Sequence, residues 1–275
     1  MNPLLKTQKV GFLGAGNMAQ AMIKGLVEGG IPAKNIYASN RTPGKLQKLE
    51  EQFKINTVSS NDELIDRCDI IILAVKPQDL LNALEPVTRA FDEHKIVISV
   101  AAGIRMEKLE RFIQGARLAR VMPNTPSLIG RGVIGYLLND DDDSALESTV
   151  EDLFAPLGRV IKVGDEDQFE ALMISCSSGT GFVFEMMMYW QDWIEEHGFS
   201  NEEARLMTIE TFVGASLLAA QAREGVEDLQ ARVTSKKGVT AAGLQSMREL
   251  EIERALRISF EKAAMRNKEM AREIK

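Results

Sequence analysis

Histidine and cysteine are nearly absent from this 275-residue chain, which has two of each. Cys68 and Cys176 lie too far apart for a CxxC redox or metal pair, and two histidines cannot complete a structural metal cluster. No metal is expected. Basic charge is also in deficit. Lys and Arg number 33 against 40 Asp and Glu, for a net charge of -7, so the chain lacks the basic excess that nucleic-acid binding normally needs. The opening MNPLLKTQKVGFLGAG has no secretory n-region, apolar h-region and cleavage site. No apolar run reads as long enough to cross a bilayer. These absences lead to the expectation of a soluble cytoplasmic protein with no membrane or nucleic-acid partner. The length is ample for a core and suits one large or two modest domains.

What is present begins with alternation. Lys9–Leu13, Asn35–Ala38, Asp69–Val75, Lys95–Val100, Arg117–Met122 and Val133–Leu138 read as strands, with GRVIKVG as a last one. Met18–Glu28, Pro43–Phe53, Asp79–Phe91 and Met106–Phe112 read as helices between them. Runs such as DIIILAV and KIVISV suit strands buried on both faces, so this part is a doubly wound α/β domain. After Gly164 the strands stop. Segments 166–196, 201–223, 226–233, 241–250 and 252–274 all read as helical, the last with a stripe of Ile252, Leu256, Phe260, Ala263, Met270 and Ile274. The expected division is a dinucleotide-binding domain over 1–164 and a helical domain over 165–275.

KVGFLGAGNMAQ carries Gly14-x-Gly16-x-x-Ala19 between a strand and a helix. Glycines there permit a tight turn and let backbone approach a pyrophosphate, whose charge the helix N-terminus stabilises. Ala15, Asn17 and Met18 complete the loop. The second strand ends in Ser39, Asn40 and Arg41, without the carboxylate that an NAD site places near a ribose. Arg41 can pair with a 2′-phosphate while Ser39 and Asn40 donate to it, which favours NADP(H). Ala74, Val75, Lys76 and Pro77 end a buried strand, Ala101 lies in a small-residue stretch with room for a nicotinamide ring, and Pro123 and Pro126 bracket Asn124. Each of these three stretches is also compatible with a plain tight turn.

The helical region has two small-residue breaks. SCSSGTGF, 175–182, suits either a ligand contact or close helix packing. In VTSKKGVTAAGL, 233–244, Gly238 can take a positive φ and Thr240 suits an N-cap, so the helix that follows offers N–H groups to an anion the size of a carboxylate. Read alone, the second break is also an ordinary capped helix.

Taken together, GFLGAGNMA, LAVKPQ, SVAAGI, VMPNTPSLIGRG, the SSGTG break and VTSKKGVTAAGL resemble the pyrroline-5-carboxylate reductase family over nearly the whole chain. The resemblance implies a Rossmann-type doubly wound sheet followed by an all-helical dimerisation domain, with a homodimer or a larger ring of dimers. It implies reduction of the cyclic imine 1-pyrroline-5-carboxylate to L-proline with NADPH, the last step of proline biosynthesis. By motif, Thr240 would be the catalytic contact, with Ser235, Gly238, Val239 and Ser178 beside it at the substrate. Gly14 to Ala19, Ser39 to Arg41, Ala74 to Pro77, Ala101 and Asn124 would surround the dinucleotide.

The chain departs from the family pattern mainly on the substrate side. Thr180, Gly181 and Phe182 replace the usual residues of one break, and Lys236, Lys237 and Val239 those of the other. Arg223, with Glu224 beside it, stands where some members place an acidic side chain. Two other readings therefore stay open: a related imine or hydroxyacid oxidoreductase, and an NADP-sensing regulator without turnover. The hydroxyacid option wants a helical lysine, and 169–190 contains none.

Overall fold

The computed structural model describes residues 3–273. Eight strands form one sheet: β1 Val10–Leu13, β2 Ile36–Ser39, β3 Asn56–Thr57, β4 Ile70–Leu73, β5 Ile96–Ser99, β6 Arg117–Met122, β7 Gly132–Leu138 and β8 Gly158–Lys162. Their order is β3-β2-β1-β4-β5-β6-β7-β8. The first six are parallel, in the order of a dinucleotide-binding fold. All four residues of β1, β4 and β5 are buried, as their unbroken apolar runs require.

β7 runs antiparallel to β6. A parallel return needs a long crossover, and residues 123–131 hold only a 3-10 turn, Thr125–Ile129. β8 then pairs parallel with β7.

The helices of this part are α1 Asn17–Glu28, α2 Pro43–Phe53, α3 Asn61–Arg67, α4 Pro77–Leu84, α5 Met106–Phe112 and α6 Ser144–Phe154. α3 and the two-residue β3 are additions to the sequence reading. α3 is capped by the Ser60 hydroxyl, which accepts from the Glu63 N–H. The helix expected over 79–91 divides into α4 and a 3-10 turn, Glu85–Ala90. Pro86 has no N–H to continue the α-helical ladder, so the chain tightens there.

A long helix follows, Glu166–Glu196. It comprises α7 Glu166–Leu172, a π turn Met173–Ser178, and α8 Gly179–Glu196. The sequence suggested no segment long enough to span a bilayer; by length and composition this helix is. The reason is that the helix runs on through the Ser and Gly break as a π turn. Four more helices complete the chain: α9 Asn201–Gln221, α10 Val226–Arg232, α11 Val239–Glu249 and α12 Ile252–Glu273.

Packing divides the chain at 178/179, not at the expected 164/165, and the end of α12 from Ala264 belongs with the sheet unit. α7 is anchored in that unit by Phe169, which is buried. Asn267 of α12 donates to Glu170 at 3.0 Å. The other unit, 179–263, buries few side chains, among them Ile194, Ala204 and Thr208. It presents Phe184, Trp193 and Leu206 to solvent, each more than half exposed.

Candidate functional site: a dinucleotide cleft and an anion elbow

At the carboxyl edge of β1, Gly14 adopts φ +114°, and a Cβ there would lie 2.6 Å from the Ala74 carbonyl oxygen. Only glycine fits. The turn is held by hydrogen bonds from the Gly14 N–H to the Ser39 carbonyl, 2.9 Å, and from the Ala15 N–H to Asn40 Oδ1, 3.3 Å. Gly16, with φ -77°, begins α1, and a Cβ at this position would meet no protein atom within 4 Å. No neighbour within the protein therefore requires glycine at this position. The first α-helical bond of α1 runs from the Gln20 N–H to the Gly16 carbonyl at 3.0 Å. The N–H groups of Asn17, Met18 and Ala19 precede it, and such groups attract an anion. Ala19 itself is buried against the core.

A cavity of about 560 Å³ opens beside this loop. Nine of the expected dinucleotide residues line it: Gly14 to Gly16, Ser39 to Arg41 and Ala74 to Lys76. Arg41 is largely exposed and pairs with Asp79 at 3.1 Å. Lys45, a residue that the sequence reading did not single out, lines the same cavity. Its position four residues after Arg41, on the first turn of α2, was the available signal. The cavity suits a dinucleotide: glycine where backbone must approach, a helix N-terminus, and two cations beside the second strand.

Several expected contacts have different roles. The Ser39 hydroxyl is buried and donates to Asn61 Oδ1 at 2.9 Å, so it is not free to donate to a phosphate. Asn40 donates to the Thr42 carbonyl at 3.0 Å. Ala101 is buried in the sheet unit, Pro77 opens α4, and neither lines the cavity. Asn124 does not line it either. Its side chain is buried, accepts from the Val133 N–H at 2.9 Å and donates to the Cys176 carbonyl at 3.1 Å.

Ser178 closes the π turn and is exposed. In the helical unit, Ser235, Gly238, Val239 and Thr240 form one elbow. The expected assignments within it shift. Gly238, φ -83°, is the N-cap of α11, and Thr240 lies inside the helix. The positive φ belongs to Lys237, at +59°. A Cβ on Gly238 would overlap Ser235 Oγ as that hydroxyl is placed, so the serine side chain would have to turn away. The Gly238 N–H donates to the Ser235 carbonyl at 3.0 Å, and the first α-helical bond is Ala242 N–H to Gly238, 3.1 Å. The N–H groups of Val239, Thr240 and Ala241 precede that bond. Val239 is 94% exposed. Glu224, beside the position of the family's acidic contact, pairs with Arg232.

Neither histidine is placed as an acid or base here. His94 is exposed beside Glu93, and His197 Nδ1 lies 2.7 Å from the Trp193 carbonyl. No metal-binding cluster occurs among the described residues.

Residues 9–103 match the family model described as NADP oxidoreductase coenzyme F420-dependent, and 166–270 match pyrroline-5-carboxylate reductase dimerisation. The pyrroline-5-carboxylate reductase of Pseudomonas aeruginosa is 31% identical over 271 residues, covering 98% of this chain and 99% of that protein. Reductase 1 of Bacillus subtilis is 32% identical over 277 residues, covering 100% and 93%. Among solved structures, Plasmodium falciparum pyrroline carboxylate reductase with NADP bound aligns with a TM-score of 0.87 at 26% identity, covering 97% and 99%. The Coxiella burnetii enzyme aligns at 0.86 with 30% identity, covering 98% of each chain. With identity above 30% sustained along its full length, this chain belongs to the pyrroline-5-carboxylate reductase family.

Proposed function

We propose that this protein reduces 1-pyrroline-5-carboxylate to L-proline, using NADPH. The observation that carries the reading is an intact glycine cradle with Arg41 in place of a carboxylate, in a chain similar end to end to reductases of that name. When bound, NADPH supplies a hydride to the imine carbon. The chain's part is to bind and orient. Gly14 and Gly16 admit the pyrophosphate to the N–H groups of α1, and Arg41 and Lys45 take the 2′-phosphate after Arg41 leaves Asp79. The α11 N–H groups with Ser235 hold the substrate carboxylate, and the Thr240 hydroxyl bonds the ring nitrogen. A protonated imine needs no side-chain acid, in keeping with the placement of both histidines. Catalysis is then mainly orientation and electrostatics.

The exposed apolar side chains of the helical unit fit oligomerisation, which the dimerisation-family match also supports. We assign the same face as the reason Glu166–Glu196 is apolar enough for a bilayer: the helix is built for a second copy of the chain. A homodimer, or a ring of dimers, in the cytoplasm is the proposed state, with no membrane or nucleic-acid partner.

The test follows NADPH oxidation with 1-pyrroline-5-carboxylate for wild type and Thr240→Ala. Absence of turnover by an NADPH-binding wild type would refute the function. An unchanged rate in Thr240→Ala would refute only that residue's role. A preference for NADH would refute the role of Arg41. Lys236 and Lys237 favour one second reading, a related imine bearing another acidic group, which competition assays with such imines would reveal.

A further inference from the structure

Asn124 joins three pieces of backbone. It lies just after β6, its Oδ1 accepts from Val133 near the start of β7, and its Nδ2 donates to Cys176 in the π turn. Because β7 runs antiparallel, the end of β6 and the start of β7 share the carboxyl edge of the parallel strands. Ligands bind along this edge in such sheets. An amide can accept at one end and donate at the other without a charge.

The link reaches the π turn. A π turn shifts the helical ladder by one residue, and such turns occur frequently at functional sites. Met173 and Ile174 anchor its beginning by burial, whereas Ser175 to Ser178 are more exposed. The Ser177 hydroxyl is enclosed and makes no hydrogen bond. The tether from Asn124 therefore holds the part of the turn that burial does not.

We propose that Asn124 is a positioning residue for the imine, not a contact of the dinucleotide: it fixes the π turn, and with it Ser178, against the carboxyl edge of the sheet. The proposal rests on the reductase reading above. Its loss would misplace the substrate side of the site and leave the cleft beside Gly14 as it is.

Asn124→Ala and Asn124→Ser remove the reach to Cys176 with smaller side chains. The KM for 1-pyrroline-5-carboxylate rises roughly tenfold in both, because both lose the buried hydrogen bond to the Cys176 carbonyl. The Kd for NADPH, from fluorescence titration, stays within about twofold, because no contact with the dinucleotide is lost. A thiol reagent labels Cys176 faster in both variants; Cys68 stays silent, since burial pushes its thiol up to about 12. Cys176→Ala keeps the backbone acceptor and leaves both constants unchanged. Loss of NADPH affinity in parallel with KM overturns the proposal, as do an unchanged KM and an unchanged labelling rate. In wild type, saturating L-proline slows labelling of Cys176; no slowing overturns the proposal even if neither variant folds. Absence of wild-type turnover refutes the reductase reading alone, and the labelling of the variants still decides whether Asn124 holds the turn.

Discussion

Arg120, within β6, forms an ion pair with Glu166, the first residue of α7, and its guanidinium carbon lies 4.2 Å from the centre of the Phe169 ring. The arginine is buried, and Glu166 remains partly open. The second oxygen of Glu166 accepts from the Met106 N–H at 2.7 Å, so one carboxylate ties β6, α5 and α7 together. Burial lowers the arginine pKa, and Glu166 opposes that shift. The two partners are therefore unequal. Glu166→Ala strands an enclosed cation and costs about 3 kcal/mol. Arg120→Met leaves a carboxylate that still has the Met106 N–H and water, and costs about 1 kcal/mol. Thermal unfolding at one protein concentration tests this. Equal losses would mean that packing, not charge, governs the contact.

Gly14 and Gly16 are both glycines of the cradle but fail differently when changed. Gly14→Ala meets the Ala74 carbonyl at a φ of +114°, so it lowers Tm and abolishes dinucleotide binding together. Gly16→Ala meets nothing in the protein. Its Tm stays near wild type while the Kd for NADPH rises at least about tenfold, since the methyl group occupies the path of the pyrophosphate. Calorimetry alongside fluorescence titration separates the two. An unaltered NADPH affinity in Gly16→Ala would show that the pyrophosphate does not pass there.

Asp143 gives the acid limb of stability. Both its oxygens accept from Arg117 at 2.6 Å, and Oδ1 also caps α6 by accepting from the Leu146 N–H at 2.9 Å. Arg117 is the main cause of its lowered pKa, with the cap bond assisting against the cost of desolvation. A group depressed in the folded state adds its stability above its unfolded pKa, about 3.9 for aspartate, and loses it as pH falls below that. Asp143→Asn is expected to lower stability by about 1 kcal/mol at pH 7. The gap to wild type should narrow as pH falls from 5 to 3. A gap that stays constant down to pH 3 would remove Asp143 from this role.

Lys237 holds a left-handed backbone at the elbow, φ +59°, where a side chain is costly. Lys237→Gly should stabilise the protein by about 1 kcal/mol. If the lysine also attracts the substrate carboxylate, KM rises in the same variant. Increased stability with an unchanged KM would assign Lys237 to solvent, and a loss of stability would contradict the strain.

The strands β1, β4 and β5 were legible because an apolar run buried on both faces needs no partner to be recognised. The glycine cradle was legible for a similar reason. β3 was not, since Asn56 and Thr57 carry no apolar pattern and exist as a strand only by pairing with β2. The reversal of β7 follows from the short connection after β6, and the π turn from a helix continuing through residues that read as a break. At the elbow, the residue types pointed to the right stretch but to the wrong owner of the positive φ. Lys237 takes it, and Gly238 is the N-cap of α11 with an ordinary negative φ.

The sequence by itself determined the phosphate cradle and the family pattern, because a glycine's φ and its missing Cβ act within a few residues of chain. Only the tertiary structure decided which polar side chains are free to meet a ligand. Ser39 is bonded to a residue 22 positions away, and Asn124 to one 52 positions away. Hydrogen-bond partners at such separations are set by how the sheet and helices pack, and no local pattern records them.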